Sequence, residues 1–433
     1  MFGSVTTNPR ALHDYRAIIG DDAVEEILEL ADSVKGARVI HINATAFGGG
    51  VAEILATMVP LMNDVGLKAD WQVIRGAAEF YNVTKAMHNS LQGAPIEWTS
   101  EMFDTWIRYN QLNADLWDEG YDFVVIHDPQ PAGMLRFVEQ KEGRRPPGHW
   151  IWRCHIDLTE AQPGVWDFLR HYVEPYDASI WTMRNYAKDG APNVHVIAPA
   201  IDPLSPKNME LSEESLRPII AGSGIDPDRP FICQLARFDP WKDPLGVIDA
   251  YRIVKEEVPD LQLVLIGSMA SDDPEGMSYY ERAVRRAGED YDIHFLVNLG
   301  NVEANSFQRS ARVMLQKSIR EGFGLTVSEA SWKGRPIIGG NAGGIPMQIV
   351  DGKTGYLVNS VEECADRVLT LLHDPDLAEE MGRAGREHVR RNFLITRNFR
   401  DYLRLFNELN ANGSHPAAEV PAPRAKEHRS VAN

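Results

Sequence analysis

The chain has 433 residues, of which 44% are hydrophobic and 24% charged, and its 62 Asp and Glu against 44 Lys and Arg give a formal charge of −18. That length argues for two domains rather than one, and so acidic a surface argues against general binding to nucleic acid or to anionic membranes, whose phosphates need a basic partner. Cys154, Cys233 and Cys364 show no CxxC spacing and cannot all pair, which argues against a disulfide framework and a zinc site.

The opening "MFGSVTTNPRALHDYR" lacks the apolar stretch of a signal peptide, and no run of about 18 apolar residues follows, so a cytoplasmic location is expected. "EEILELADSV" (25–34) has the apolar spacing of a helix, and "RVIHIN" (38–43) reads as a strand. A glycine triplet leads into a helix over 51–62, which Pro60 should kink or shorten. "WQVI", "FVVIH", "WIWRC", "SIWTM" and "VHVIA" read as further strands, with helical stretches among several of them. Prolines interrupt the rhythm in "VIAPAIDPLSPKN" (196–208), which reads as a linker. The alternation then restarts: strand 231–235, helix 245–258, strands 261–267, 293–297 and 312–316, helix 325–333 stopped by Gly334, and strand 335–340. From about 375 to 411 the chain reads as helical, and "SHPAAEVPAPRAKEHRSVAN" reads as a disordered tail. Strands alternating with helices predict an α/β fold: two doubly wound, Rossmann-like domains in series with a cleft between them.

Three stretches bring backbone and charge to where a ligand can sit. In "FGGGVAEIL" (47–55), consecutive glycines let backbone N–H groups converge at a helix N-terminus, as an oxyanion or sugar-hydroxyl cradle or simply as a tight turn. Glu53, in the first turn, is either a hydroxyl acceptor or a solvated acid. "ARFDPWKDPLG" (236–246) begins where strand 231–235 ends, at the sheet edge where open α/β folds bind ligands. Arg237 offers a planar fork and Lys242 a point charge, both suited to phosphate oxygens. The alternative pairs Arg237 with Asp239 and Lys242 with Asp243 on the surface. In "SIREGFGLTVSEASWKG" (318–334), Glu321 precedes a glycine turn and Glu329 lies in the helix that follows, so backbone N–H groups of Gly322, Phe323, Gly324 and Leu325 can point at a ligand while Glu329 accepts a ribose diol. A capped helix with two surface glutamates is the plainer reading.

"REGFGLTVSEASWKGRPIIGGNAGGIP" resembles the E-x7-E region of retaining GT-B glycosyltransferases of family four, and "RFDPWKDP" resembles that family's Arg…Lys diphosphate clamp. "GGGVAEIL", "VPLMNDVG", "WRCHIDLT" and "RFDPWKDPLGVIDAYR" are similar, within that family, to trehalose glycosyltransferring synthases and their trehalose phosphorylase relatives. The resemblance spans roughly residues 35–410 and implies a GT-B architecture, with an acceptor-binding domain over 1–200 and a nucleotide-sugar domain over 208–395. A helix over 396–412 would pack back on the first domain, and 414–433 would be the tail.

Carried over by motif, the resemblance implies that Arg237, Lys242, Glu321 and His155 are catalytic. It implies that Gly49, Gly50, Gly322, Phe323, Gly324, Leu325 and Glu329 bind the donor, and that Asp128, Asp157 and Glu53 bind the acceptor. Read without the family, His155 is a structural histidine and Asp128, before Pro129, a turn former. Met347 stands where the family often has Glu, and Trp241 inside the clamp loop is an extra aromatic wall or lid. The implied reaction transfers glucose from a nucleoside-diphosphate glucose to glucose with retention, giving α,α-1,1 trehalose. Trehalose phosphorolysis, a sucrose-type synthase and a non-catalytic sugar-nucleotide regulator are the alternatives. The expected partners are small sugars: glucose, trehalose and nucleotide glucose. A homodimer is left open. No cofactor is expected to be essential; Mg²⁺ is possible but not required, because the clamp does the work it would do.

Overall fold

The computed structural model describes residues 2–47, 49–118, 120–267 and 274–413. The expected tail over 414–433 lies outside them.

Among the described residues the strands form a seven-stranded and a six-stranded sheet. The first contains Gly3–Ser4 (β1), Arg38–Asn43 (β2), Lys68–Val73 (β3), Phe123–His127 (β4), His149–Arg153 (β5), Ala178–Trp181 (β6) and Val194–Val196 (β7), in the order β1-β3-β2-β4-β5-β6-β7. All its pairings are parallel except β1 on β3. The second is parallel throughout: Phe231–Leu235 (β8), Gln262–Gly267 (β9), Ile293–Val297 (β10), Val313–Gln316 (β11), Ile337–Gly340 (β12) and Tyr356–Val358 (β13), ordered β10-β9-β8-β11-β12-β13. Each sheet reverses its winding once, beside β2 in the first and beside β8 in the second. Such switch points leave a crevice at the carboxyl ends of the strands.

Helices cover both faces of each sheet, which is why the central strands are apolar on both sides. Along β2 and β4, Ile40, Ile42, Val124 and Ile126 face one core layer, while Val39, Phe123 and Val125 face the other. The second sheet splits the same way, with Leu263 and Leu265 on one side and Val264 and Ile266 on the other. Among the described residues, no helix is long and apolar enough to cross a membrane.

Two expectations about helices need correction. The helix after the glycine triplet runs unbroken from Gly50 to Asp64, through Pro60. Proline forfeits one backbone hydrogen bond there, but Met58, Val59, Leu61 and Met62 around it are all buried, and tertiary packing outweighs local propensity. The helical stretch from 375 divides into Pro375–Asn392 and Ile395–Asn412. Between them the chain is pulled straight by the linker: Ile201 N–H donates to the Phe393 carbonyl and Ile395 N–H to the Ile201 carbonyl, each at 2.9 Å. Ile395–Asn412 then lies on the first sheet, where Phe406 stacks on Phe123 with ring centroids 4.2 Å apart.

The linker is fastened at both ends. Asp202 accepts from Tyr15 Oη at 2.9 Å and Thr57 Oγ1 at 3.0 Å in the first half, and Asn208 Oδ1 accepts from Lys333 Nζ at 2.8 Å in the second.

Candidate active site

A cavity of about 590 Å³ lies between the two sheets, at the carboxyl ends of β2 and β8. Its walls include Gly49, Gly50, Glu53 and His155 from the first half and Arg237, Lys242, Glu321, Gly322, Phe323, Gly324 and Leu325 from the second.

The basic loop after β8 is built by its own carboxylates. Asp239 Oδ1 accepts from the Lys242 backbone N–H at 3.1 Å, closing a short 3-10 turn over Pro240–Lys242. Asp243 sits at φ 49° and caps the next helix by accepting from Gly246 N–H at 3.0 Å. A Cβ on Gly246 would fall 2.2 Å from Asp243 Oδ2, so a larger residue there would displace the capping carboxylate. Arg237 remains 63% exposed and reaches Asp239 at 3.3 Å, one of the surface pairings weighed above. The other does not form: Lys242 Nζ pairs with Glu321 Oε2, and Asp243 pairs with Lys317. Gln316 Nε2 and Ser318 Oγ also donate to Glu321 Oε2, at 3.3 and 3.2 Å. The carboxylate is thereby fixed by one oxygen.

The glycine turn carrying Glu321 is seated on "NAGGIP". A Cβ on Gly343 would lie 1.5 Å from the Glu321 carbonyl oxygen, and one on Gly344 2.8 Å from that of Gly322. Gln348 Nε2 donates to the Phe323 carbonyl at 2.5 Å. Met347, in place of the family's Glu, packs against the apolar cluster of Phe323 and Phe393.

The two halves touch at several points around the cavity. A Cβ on Gly50 would come within 2.8 Å of Leu325 Cδ1, and one on Gly322 within 3.5 Å of the His155 carbonyl. Tyr186 Oη donates to the Gly322 carbonyl at 2.9 Å. Arg320 donates to the Gln92 carbonyl and lies over the Trp241 ring, 4.8 Å from its centroid. Trp241 is therefore a wall, 40% exposed, with the guanidinium against it.

His155 ends a line of imidazoles from neighbouring strands. His41 Nδ1 lies 3.0 Å from His127 Nε2, and His127 Nδ1 lies 3.1 Å from His155 Nε2. Burial, reinforced by the Arg153 charge, pushes the His155 imidazole well below its usual range, so it stands neutral at the cavity wall. His88, also in the wall, is lowered to about 4 by burial and the Arg237 charge.

Three of the sequence candidates are not among the residues lining this cavity. Asp128, at φ 65°, turns its side chain to the chain itself: Oδ1 accepts from His155 N–H at 2.8 Å, and burial raises its carboxyl to about 6. That is the turn-former reading, and the residue acts on the site by seating His155. Asp157 Oδ1 accepts from the N–H and hydroxyl of Thr159, at 2.9 and 2.7 Å. Glu329 is fully buried behind the wall. Conversely, Lys207, His88, Gln92 and Arg320 line the cavity and were not expected there. His88 and Gln92 share the end of one helix, Lys207 and Arg320 lie far from it in the chain, and none carries a local motif. For Lys207, its place in a proline-rich linker between two domains was the available signal.

Residues 41–188 match the family described as trehalose synthase, N-terminal domain, and residues 217–388 that described as glycosyl transferases group 1. The chain is 52% identical over 418 residues to the trehalose synthase of Rubrobacter xylanophilus, covering 94% of this chain and 99% of that one. It is 50% identical over 405 residues to that of Thermococcus litoralis, covering 92% and 97%. A more distant relative, the trehalose phosphorylase of Grifola frondosa, is 28% identical over 430 residues, covering 87% of this chain and 58% of that one. Among solved structures, an α,α-trehalose-phosphate synthase (UDP-forming) from Burkholderia vietnamiensis superposes with a TM-score of 0.70 at 14% identity, covering 88% of this chain and 99% of that one. The fold is GT-B.

Proposed function

The chain belongs to the trehalose synthase family and is a glycosyltransferase, and from that premise we propose that it transfers glucose, with retention, from a nucleoside-diphosphate glucose to glucose, forming α,α-1,1 trehalose. The observation that carries this reading is that Arg237 and Lys242, on the loop after β8, face the same cavity as the glycine turn at Gly49 and Gly50 and as His155. In this reading the departing diphosphate lies against Arg237, Lys242 and the backbone N–H groups around Gly324, which stabilise the charge that develops as the glycosidic bond breaks. Glu321 holds Lys242 in place through one oxygen and turns the other toward the donor sugar. The acceptor lies on the side of His155, His88 and Gln92.

The carboxylates in the wall support a mechanism without a covalent intermediate. Glu321 is paired with Lys242, Asp239 with Arg237 and Glu53 with Lys207. Pairing with a cation lowers a carboxylate's nucleophilicity, so in this reading the acceptor hydroxyl attacks from the face that the diphosphate leaves, and its proton passes to a phosphate oxygen. The cations also argue for an uncharged acceptor. Arg320, the remaining cation of the wall, is committed to Gln92 and Trp241. Closure of the halves around the site excludes water and aligns the two sugars.

Lys242→Ala tests this directly. The expected result is a fall in turnover of about 10²–10³-fold, roughly 3–4 kcal/mol, with weakened donor affinity. Turnover near that of the wild type would refute the clamp. Phosphorolysis of trehalose is the second reading, favoured by the same paired cations, which would equally hold inorganic phosphate. Coverage of 99% of a synthase against 58% of a phosphorylase favours synthesis.

A further inference from the structure

Lys317 is a buried lysine that the mechanism does not use. It follows the last residue of β11, is 6% exposed, and is not among the residues lining the cavity. A buried ammonium needs a partner, and its Nζ pairs with Asp243 Oδ2. Asp243 does not line the cavity either, but it directly follows Lys242, which does.

Asp243 turns the chain out of the basic loop and into the helix Pro244–Glu257. Its φ of 49° lies in the left-handed region, which disfavours residues that carry a Cβ, Asp less than most. Both carboxylate oxygens hold that turn: Oδ1 accepts from Gly246 N–H at 3.0 Å, and Oδ2 meets Lys317. The first bond is local to the turn. The second ties it to the end of another strand.

The rest of the loop is fastened to the same stretch. The Trp241 carbonyl accepts from Ile319 N–H at 2.8 Å, and Lys242 Nζ reaches Glu321, which Gln316 and Ser318 also hold. From β8, Gln234 Nε2 donates to the Lys242 carbonyl at 3.0 Å. Ile319 thus fixes the residue before Lys242 and Lys317 the residue after it, so the direction in which the Lys242 side chain leaves the backbone is set from both flanks.

Resting on the diphosphate reading of Lys242 above, we propose that Lys317 is a positioning residue for that clamp: by holding Asp243 from behind the wall, it aims Lys242 at the diphosphate. Its own charge is matched by Asp243, so it acts through geometry and not as a further phosphate ligand. A lysine that merely neutralised a capping carboxylate would affect the stability of the helix and leave the clamp unchanged.

The test is calorimetric binding to the full chain of ADP, UDP and GDP and of the corresponding monophosphates, taking the base that binds tightest. The wild type is expected to prefer the diphosphate about tenfold or more, the worth of a charge-assisted hydrogen bond, and Lys242→Ala to lose most of that preference. Lys317→Met/Asp243→Asn leaves neither partner charged, and Asn keeps the capping oxygen and tolerates positive φ. In this variant the preference should fall about threefold or more, while the same two changes added to Lys242→Ala should lower it little further. Lys317→Met alone carries the same measurement if the double variant fails to fold, because Asp243, 23% exposed, can still reach water. An undiminished preference in the folded Lys317 variants, or a loss that adds in full to that of Lys242→Ala, would overturn the proposal and leave the clamp standing. A wild type that binds no diphosphate, or prefers it no more than Lys242→Ala does, would overturn the clamp first, and this proposal with it.

Discussion

Asp128 shows how a single residue can serve the site from outside it. Its carboxyl is raised from 3.8 to about 6 by burial, while its Oδ1 holds the His155 N–H at 2.8 Å. Between pH of about 4 and 6 the folded protein keeps a proton that the unfolded chain has released. Its favourable contribution is therefore complete below about 4 and lost as pH rises through 6. Asp128→Asn keeps the oxygen and tolerates the positive φ, but does not titrate. Its stability relative to the wild type should rise between pH 4 and 7 by at most about 3 kcal/mol, read by denaturant melts. A difference independent of pH would contradict the assignment. At this scale the sequence disclosed what was local. Arg237 and Lys242 share one short loop, so their common destination was legible. The imidazole line of His41, His127 and His155 was not, because neighbouring strands and not sequence spacing bring those rings together.

The elements carrying the site depend on glycines whose reasons differ. Gly343, at φ 55°, supports the Glu321 turn so closely that a Cβ would overlap the Glu321 carbonyl oxygen. Gly343→Ala should cost more than about 1 kcal/mol in stability and weaken donor binding. Gly222, at the end of the helix Glu213–Gly222, meets nothing within 4 Å, so Gly222→Ala should stabilise by about 0.4–1 kcal/mol. Equal effects in thermal melts would mean that close approach is not what selects glycine at 343. Strand and helix order could be read from periodicity, because central strands buried on both faces are almost wholly apolar. The straight stretch at 393–394 could not, since its cause is hydrogen bonding to Ile201, far away in the chain. The direction of the Glu329 carboxylate could not be read for a related reason: Leu325–Trp332 is buried from Val327 to Trp332, so no amphipathic pattern marks which way it turns.

At the scale of the molecule, two switch points face each other and the chain crosses between the halves twice, at Ile201 and at Leu394, joined by a parallel bridge. A net charge of −18 surrounds a cavity whose wall carries Lys207, Arg237, Lys242 and Arg320. Arg320, held against Trp241 of its own half, clasps the other half through the Gln92 carbonyl. Arg320→Ala should speed hydrogen exchange of the amides around Gln92 and lower turnover, while global stability changes by about 0.5 kcal/mol or less. Unchanged exchange would show that the clasp holds nothing. The most direct measurement of the whole account is the product formed by the wild-type protein, followed by NMR of the anomeric protons. One arm supplies glucose with ADP-, UDP- or GDP-glucose, and the other supplies trehalose with inorganic phosphate. The account predicts a non-reducing disaccharide with one α-anomeric signal in the first arm. Glucose 1-phosphate in the second arm, with no disaccharide from any nucleotide glucose in the first, would contradict it.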